Sequence, residues 1–190
     1  MKCALCGNKE CTSGKDCTGI REEVLEAYTG EMLSINRGAA HIEATCYMTK
    51  TRIEEVIEFA RTMGYKRLGI AFCIGLSSEA EKIHEILGQH FEVYSVCCKV
   101  CGIPKKTLKL KALRGNSDAA MCNPIGQAKT LNGKKTDLNL IVGLCMGHDI
   151  AFTANSEAPV STLVVKDRVL THNPLGAIYS RYYLNRLIEK

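Results

Sequence analysis

Four of the first seventeen residues are cysteines, and Cys3, Cys6, Cys11 and Cys17 are spaced C-x2-C-x4-C-x5-C. Four thiols this close in sequence are a donor set for one metal centre, because the thiolate is the soft, anionic form that binds zinc and iron–sulfur clusters. A cube-shaped cluster spreads its iron corners over a wider footprint than a single ion, so cysteines on a short glycine-containing loop can wrap it. Structural zinc more often joins two C-x2–4-C knuckles across a longer insert. The spacing therefore favours an iron–sulfur cluster of the 4Fe-4S kind at this head, with zinc as the alternative and unligated surface thiols as the plainest reading. Lys2, Lys9 and Lys15 would either stabilise the sulfur anions or simply solvate the surface.

A second constellation lies further along the chain. Cys98 and Cys101 have the C-x2-C spacing that suits a metal loop or a redox pair. Cys122 stands two residues before Pro124, the favoured first position of a helix, whose amides would lower the thiol pKa. In Gly143-Leu144-Cys145-Met146-Gly147-His148-Asp149 a thiol, an imidazole and a carboxylate fall within five residues. His148 can donate a proton, ligate metal or anchor a substrate, and Asp149 can orient it. We therefore expect Cys98, Cys101 and Cys122 to bind a cofactor, and Cys145, His148 and Asp149 to form the catalytic group. The competing expectations are that His148 or Asp149 merely caps a helix, and that a single thiol such as Cys73 is packing. Cys46 reads as core, and His172 as part of a turn.

These residues need elements to hold them. The head, residues 1–19, has too few apolar side chains for a core without a cross-linking ion. A helical lead-in over 20–64 follows: 20–28 with Ile20, Val24, Leu25 and Tyr28 along one side, then 32–47, then a helix opened by Thr51 and Glu54 at capping-box spacing. From residue 65 short apolar runs at 68–74, 91–96, 138–144 and 162–165 alternate with helical stretches at 78–87, 124–131 and 148–154. That alternation predicts an α/β domain over 20–190 with a mainly parallel sheet and flanking helices. Cys73, Cys97, Cys98 and Cys145 all fall at strand ends, and in an open parallel sheet those ends share the edge where ligands bind.

Composition narrows the function classes. The chain has 190 residues, 46% hydrophobic and 24% charged, which suits one globular domain with a small appendage. No apolar run reaches membrane-spanning length, and the start lacks the apolar core of a signal peptide, so a cytoplasmic protein is expected. There, eleven cysteines imply metal or reactive sulfur rather than disulfides. A net charge of +5, without Trp and with few aromatics, gives little support for nucleic-acid binding. The basic stretch Lys105, Lys106, Lys109, Lys111 and Arg114 is either a solvated face or a landing site for an acidic electron-transfer partner.

The segments Cys122-Asn123-Pro124, Gly143 to Asp149, Ala158-Pro159-Val160 and Lys166-Asp167-Arg168 with His172-Asn173-Pro174-Leu175 resemble a bacterial and archaeal family, domain of unknown function 1847, over nearly the whole chain. The resemblance implies metal binding, typically in anaerobes, and no assigned reaction. By looser analogy, the strand-end thiols are similar in logic to non-redox iron–sulfur enzymes such as small desulfurases, where three thiolates hold a cubane and one iron stays free for substrate. The leading expectation is an iron–sulfur protein whose thiol-rich crevice does sulfur chemistry on a small molecule. The rivals are a non-enzymatic electron carrier or zinc-folded interaction module, and a thiol–disulfide protein using Cys98 and Cys101. Oligomeric state is left open.

Overall fold

A computed structural model describes residues 1–188 and divides the chain into two compact units, Met1–Tyr47 and Met48–Lys190. The division falls after Tyr47, so two of the lead-in helices belong with the cysteine head and the third with the sheet. In the first unit the head forms two short 3-10 turns, Cys3–Leu5 and Glu10–Ser13, followed by α1 (Arg21–Ala27) and α2 (Gly30–Cys46). On α2, Gly38, Ile42 and Cys46 recur every four residues and are buried, which bears out the core reading of Cys46. The apolar side expected on α1 is not buried: Ile20, Val24, Leu25 and Tyr28 are all exposed.

The second unit opens with α3 (Arg52–Thr62), whose capping box is formed by the Thr51 side chain and Glu54 as the spacing predicts. Strand β1 (Arg67–Phe72) leads through α4 (Ser77–Gly88) to β2 (Glu92–Cys97), then α5 (Pro124–Gly133), β3 (Leu138–Val142), α6 (His148–Thr153) and β4 (Val160–Val164). Two short helices close the chain, α7 (Gly176–Tyr179) and α8 (Arg181–Ile188). The sheet is parallel throughout, in the order β2-β1-β3-β4. This is an α/β fold of the expected class. Among the described residues no helix is long and apolar enough to cross a membrane.

The period of two along each strand sorts the core. Leu68 and Ile70 of β1 and Leu138, Leu140 and Val142 of β3 pack with Val56, Ile57 and Ala60 of α3 and with Ala80, Ile83 and Leu87 of α4. The alternate residues, Ala71, Cys73, Val96, Cys98 and Ile141, face Ala128 and Leu131 of α5 and Phe152 of α6. With helices on both faces the central strands are buried throughout, which is why they read as unbroken apolar runs. The runs overshoot the strands at their ends. β1 stops at Phe72, and Cys73 to Leu76 turn into α4; β3 stops at Val142, where Gly143 takes φ +65°. The thiols of Cys73 and Cys145 are thereby carried by loops at the carboxyl edge.

One polar group crosses this interior. Asn139 sits in the middle of the sheet opposite Gly69, its Oδ1 accepting from Thr136 Oγ1 at 2.8 Å and its Nδ2 donating to Ser156 Oγ at 2.8 Å. Gly69 leaves the room: a Cβ there would lie 2.0 Å from Asn139 Oδ1 and 2.9 Å from Leu131 Cδ1. Gly69→Ala is expected to destabilise the domain by about 1–3 kcal/mol through overpacking against a side chain that is tied at both ends. Urea denaturation followed by circular dichroism measures this, and an unchanged midpoint would contradict it.

Candidate functional site

Short-range backbone pairing continues past the strands and draws the sulfurs together. Cys73 N donates to Val142 O at 3.1 Å and Cys98 N donates to Phe72 O at 2.8 Å, so the two residues stay in sheet register beyond β1 and β2. The chain then makes a long excursion between Cys98 and Cys122 whose two arms pair with each other, through Lys105 N to Ala119 O (3.1 Å) and Met121 N to Ile103 O (2.8 Å). Asn123 N closes it by donating to Cys98 O at 2.8 Å. Residues distant in sequence are thus neighbours at one sheet edge.

Helix α5 fixes the second half of this pair. Asn123 caps it, with Oδ1 accepting from Gly126 N at 2.9 Å, while Nδ2 donates to Val100 O at 3.2 Å. One turn on, the fully buried Gln127 donates its Nε2 to Phe72 O (3.1 Å) and Val96 O (2.7 Å), the carbonyls just before Cys73 and Cys97. Sequence reasoning missed Gln127, since a lone glutamine in a helix carries no motif. Its only sequence signal is an amide on the apolar side of α5, between Pro124 and Ala128.

The Cys98 and Cys122 thiols act on one another and their acidities split. Cys122 is pulled down to about 5, first by the neighbouring Cys98 thiol, then by Lys99 and His148, against the cost of burial. Lys99 Nζ lies 3.5 Å from Cys122 Sγ and is steadied by Ala120 O at 2.8 Å. Cys98 is pushed up, by the neighbouring Cys122 and by burial. Cys98 Sγ also accepts from Ile74 N at 3.4 Å. Cys122 is the thiolate of the pair. The helix amides expected to acidify it are not the leading cause; the neighbouring thiol is.

Cys145 approaches from the far side of β1. Its Sγ lies 2.9 Å from a terminal nitrogen of Arg168, whose guanidinium is held further above its ordinary pKa by Cys145 and also feels Cys73 and Cys122. Lys166 Nζ and Cys73 Sγ each lie 3.9 Å from the point where a Gly75 Cβ would stand. Cys73, Cys98, Cys122 and Cys145, with Lys99, Lys166 and Arg168, therefore lie along the carboxyl edge of β1, β2 and β3, beside the β1/β3 boundary where the chain reverses its direction of travel across the sheet.

The remaining expected residues divide. His148 belongs to the crevice through its effect on Cys122. The Asp149 carboxylate instead accepts from Gly147 N (2.9 Å) and Ile150 N (2.8 Å), so it fixes the turn into α6. Cys101 is exposed in the turn after β2, at φ +69°, while Cys122 and Cys73 are the thiols that act on Cys98. His172 Nδ1 accepts from Asp167 N at 3.1 Å and holds a turn, as read. In the basic stretch, Lys106 pairs with Asp118 at 2.5 Å.

In the head, every residue from Met1 to Gly19 is exposed, so no apolar contact holds its turns. Cys3, Cys6, Cys11 and Cys17 are free thiols, Cys6 Sγ lying 3.1 Å from Asn8 Oδ1. Asp16 closes the loop that follows, its carboxyl held down at about 2 by the Thr18 amide and hydroxyl and the Gly19 amide. Among the described residues no three His, Cys, Asp or Glu side chains are close enough to share one metal ion. The fit of either thiol set to a metal rests on donor chemistry: four soft ligands on a coreless loop in the head, and four soft ligands under cationic cover in the crevice.

The model of a family described as Protein of unknown function (DUF1847) matches residues 11–163. An uncharacterized protein of Methanocaldococcus jannaschii is 57% identical over 191 residues, covering 100% of this chain and 99% of its own. The chain belongs to this family. Family membership is what the residues quoted above led us to expect, and its description names neither a metal nor a reaction. The match takes in the crevice cysteines from Cys73 to Cys145 and begins at Cys11 in the head. No solved structure matches.

In reduced, metal-free protein, Cys122 is expected to alkylate at close to its full rate above roughly pH 6 and at half that rate near pH 5, because the thiolate persists above its pKa. Lys99→Ala should move that midpoint upward. Peptide-resolved iodoacetamide labelling across pH measures both, and a midpoint near the ordinary thiol value of about 8.5 would contradict the arrangement.

Proposed function

We propose that this protein is a cytoplasmic iron–sulfur protein whose reactive centre is the crevice, where Cys73, Cys98 and Cys122 would hold a 4Fe-4S cluster beside Cys145 and His148, for non-redox sulfur chemistry on a small molecule. The observation that carries the reading is the placement of four thiols at the carboxyl edge, Cys73, Cys98 and Cys145 after three strands and Cys122 before α5, with Lys99 on Cys122 and Arg168 on Cys145. Clustered thiolates repel one another and lose hydration, so a site that keeps them together needs positive charge, and a metal centre supplies more of it. Free packing cysteines need neither.

When bound by three protein thiolates, a cluster of this kind supplies an iron open to a substrate's sulfur or oxygen. The chain's own groups do the rest. Lys99 offsets the Cys122 charge, Cys98 and Ile74 N hold the sulfur row in place, and Gln127 and Asn123 lock α5 against the strand ends. His148, partly exposed at the mouth, can pass a proton to a departing or arriving sulfur. Asp149 sets the turn that presents His148. In the head, Cys3, Cys6, Cys11 and Cys17 would hold a second centre, iron–sulfur in preference to zinc, that folds the loop.

A second reading has its own support. A buried thiol beside a more acidic one is also how a disulfide-forming pair looks, with Cys122 attacking and Cys98 resolving. The pair is then Cys98 with Cys122, which the Asn123 N to Cys98 O bond sets side by side.

Iron and acid-labile sulfide, measured in the full-length chain purified without oxygen, decide between the readings. The proposal expects both elements in near-equal amounts, with partial loss in Cys98→Ser or Cys122→Ser and separate partial loss in Cys3→Ser. Absence of iron and sulfide from the parent chain, or unchanged content in the crevice variants, would overturn it. Mild oxidation that links Cys98 to Cys122 in an iron-free chain would establish the second reading instead.

A further inference from the structure

Two surfaces of the chain are uncovered, and each carries what the other lacks. Helix α1 has no buried residue. Ile20, Val24, Leu25 and Tyr28 are all exposed, and Met32 continues them. Glu22, Glu23 and Glu26 are exposed beside them, and among the described residues none of the three forms an ion pair. Arg21, the one cation of this helix, is bonded to Gly14 O. So short a helix is marginal in water unless something packs on it, and Glu22 and Glu26, one turn apart, repel each other.

The second surface is the tip of the excursion between Cys98 and Cys122. Residues 105–114 read Lys-Lys-Thr-Leu-Lys-Leu-Lys-Ala-Leu-Arg. The paired arms hold the base, while Leu108, Leu110 and Leu113 are exposed at the tip, interleaved with the exposed Lys109, Lys111 and Arg114. Among the described residues only Lys106 of this basic stretch has a carboxylate partner, that of Asp118. Lys109 and Arg114 both stand at φ +53°, a left-handed backbone that side chains of their kind rarely adopt and that gathers at binding sites.

Exposed apolar side chains and crowded like charges are both relieved by one cover of opposite charge. For α1 that cover must be apolar and cationic; for the tip it must be apolar and anionic. A nucleic acid would answer the lysines but leave the leucines, and the excursion has no aromatic ring for a base to stack on. An anionic lipid surface would take the tip and repel the glutamates of α1. Helix α1 and the tip meet each other's demands.

We propose that two copies of this chain pair reciprocally, α1 of each lying against the 105–114 tip of the other, apolar side on leucines and glutamates on lysines. A two-fold pair makes the contact twice and leaves neither surface open. The pairing does not depend on a cluster in the crevice. Cys17 stands three residues before Ile20, and Cys101 four residues before Lys105, so the pairing carries the cysteine head of one copy to the excursion that joins Cys98 to Cys122 in the other.

Sedimentation velocity of the reduced full-length chain across the micromolar range reads the pairing in the parent, in Glu22→Lys with Glu26→Lys, in Lys109→Glu with Lys111→Glu, and in the chain carrying all four changes. The expected result is a dimer whose Kd rises about tenfold or more in either charge reversal and returns to within about threefold of the parent when the two are combined. In an equal mixture of isotope-labelled and unlabelled parent chain, carbodiimide crosslinks between the α1 glutamates and the tip lysines are expected to join labelled to unlabelled copies. These crosslinks need no variant and decide the matter if a reversal fails to fold. A chain that stays monomeric at every concentration, a dimer indifferent to both reversals, or crosslinks confined to single chains would overturn the proposal. So would a monomer that binds phosphatidylglycerol vesicles through Lys109 and Lys111, which would give the tip to a lipid surface.

Discussion

The backbone hydrogen bond from Asn123 N to Cys98 O is the contact around which the domain's edge is organised. It joins the end of β2 to the start of α5 across a long excursion and sets Cys122 beside Cys98. Gln127 ties the same helix to the ends of β1 and β2, so the position of Cys122 relative to Cys73 is set by the sheet and not by a flexible loop. Rigid placement on strand ends and a capped helix is what a soft-donor site requires, because sulfurs that must share a centre cannot be left to find each other.

Electrostatics follows from that placement. Bringing four thiols into a partly buried crevice raises the cost of charging any of them, and the protein meets it unevenly. Cys98, almost fully buried, stays a neutral thiol; Cys122, at the helix entrance beside Lys99 and His148, takes the charge. Cys145 is covered by Arg168 from the loop after β4. The positive charge is thus delivered by two separate segments, Lys99 from the turn after β2 and Lys166 with Arg168 from the loop after β4. The head contrasts with this. There the four thiols are exposed on two short turns with no buried residue among them.

Much of the fold was legible in the sequence because alternating apolar runs and helical periods report directly on burial. The Thr51–Glu54 capping box and the Asn123-Pro124 start of α5 are local devices whose chemistry sits in adjacent residues, and both formed as read. The strand runs overshot at Cys73 and Gly143 because apolar residues continue past the last ladder bond into loops that are also buried. The stripe on α1 was misjudged since periodicity shows which residues share a side, not whether anything covers that side. In the site, strand-end position put Cys73, Cys98 and Cys145 at the carboxyl edge, and the helix start at Pro124 put Cys122 there. C-x2-C spacing is a local pattern, whereas the approach of Cys122 to Cys98 comes from a long-range closure at Asn123 that no spacing shows. Lys166, Arg168 and Gln127 could not be found by motif, for each acts through tertiary contacts alone.

Anomalous diffraction at the iron absorption edge, from crystals of the full chain grown without oxygen, tests the central claim most directly. The account predicts an iron peak within bonding distance of the Cys73, Cys98 and Cys122 sulfurs at the carboxyl edge of the sheet. Crystals of intact, reduced protein with no iron in that crevice, whether or not the head carries metal, would contradict it.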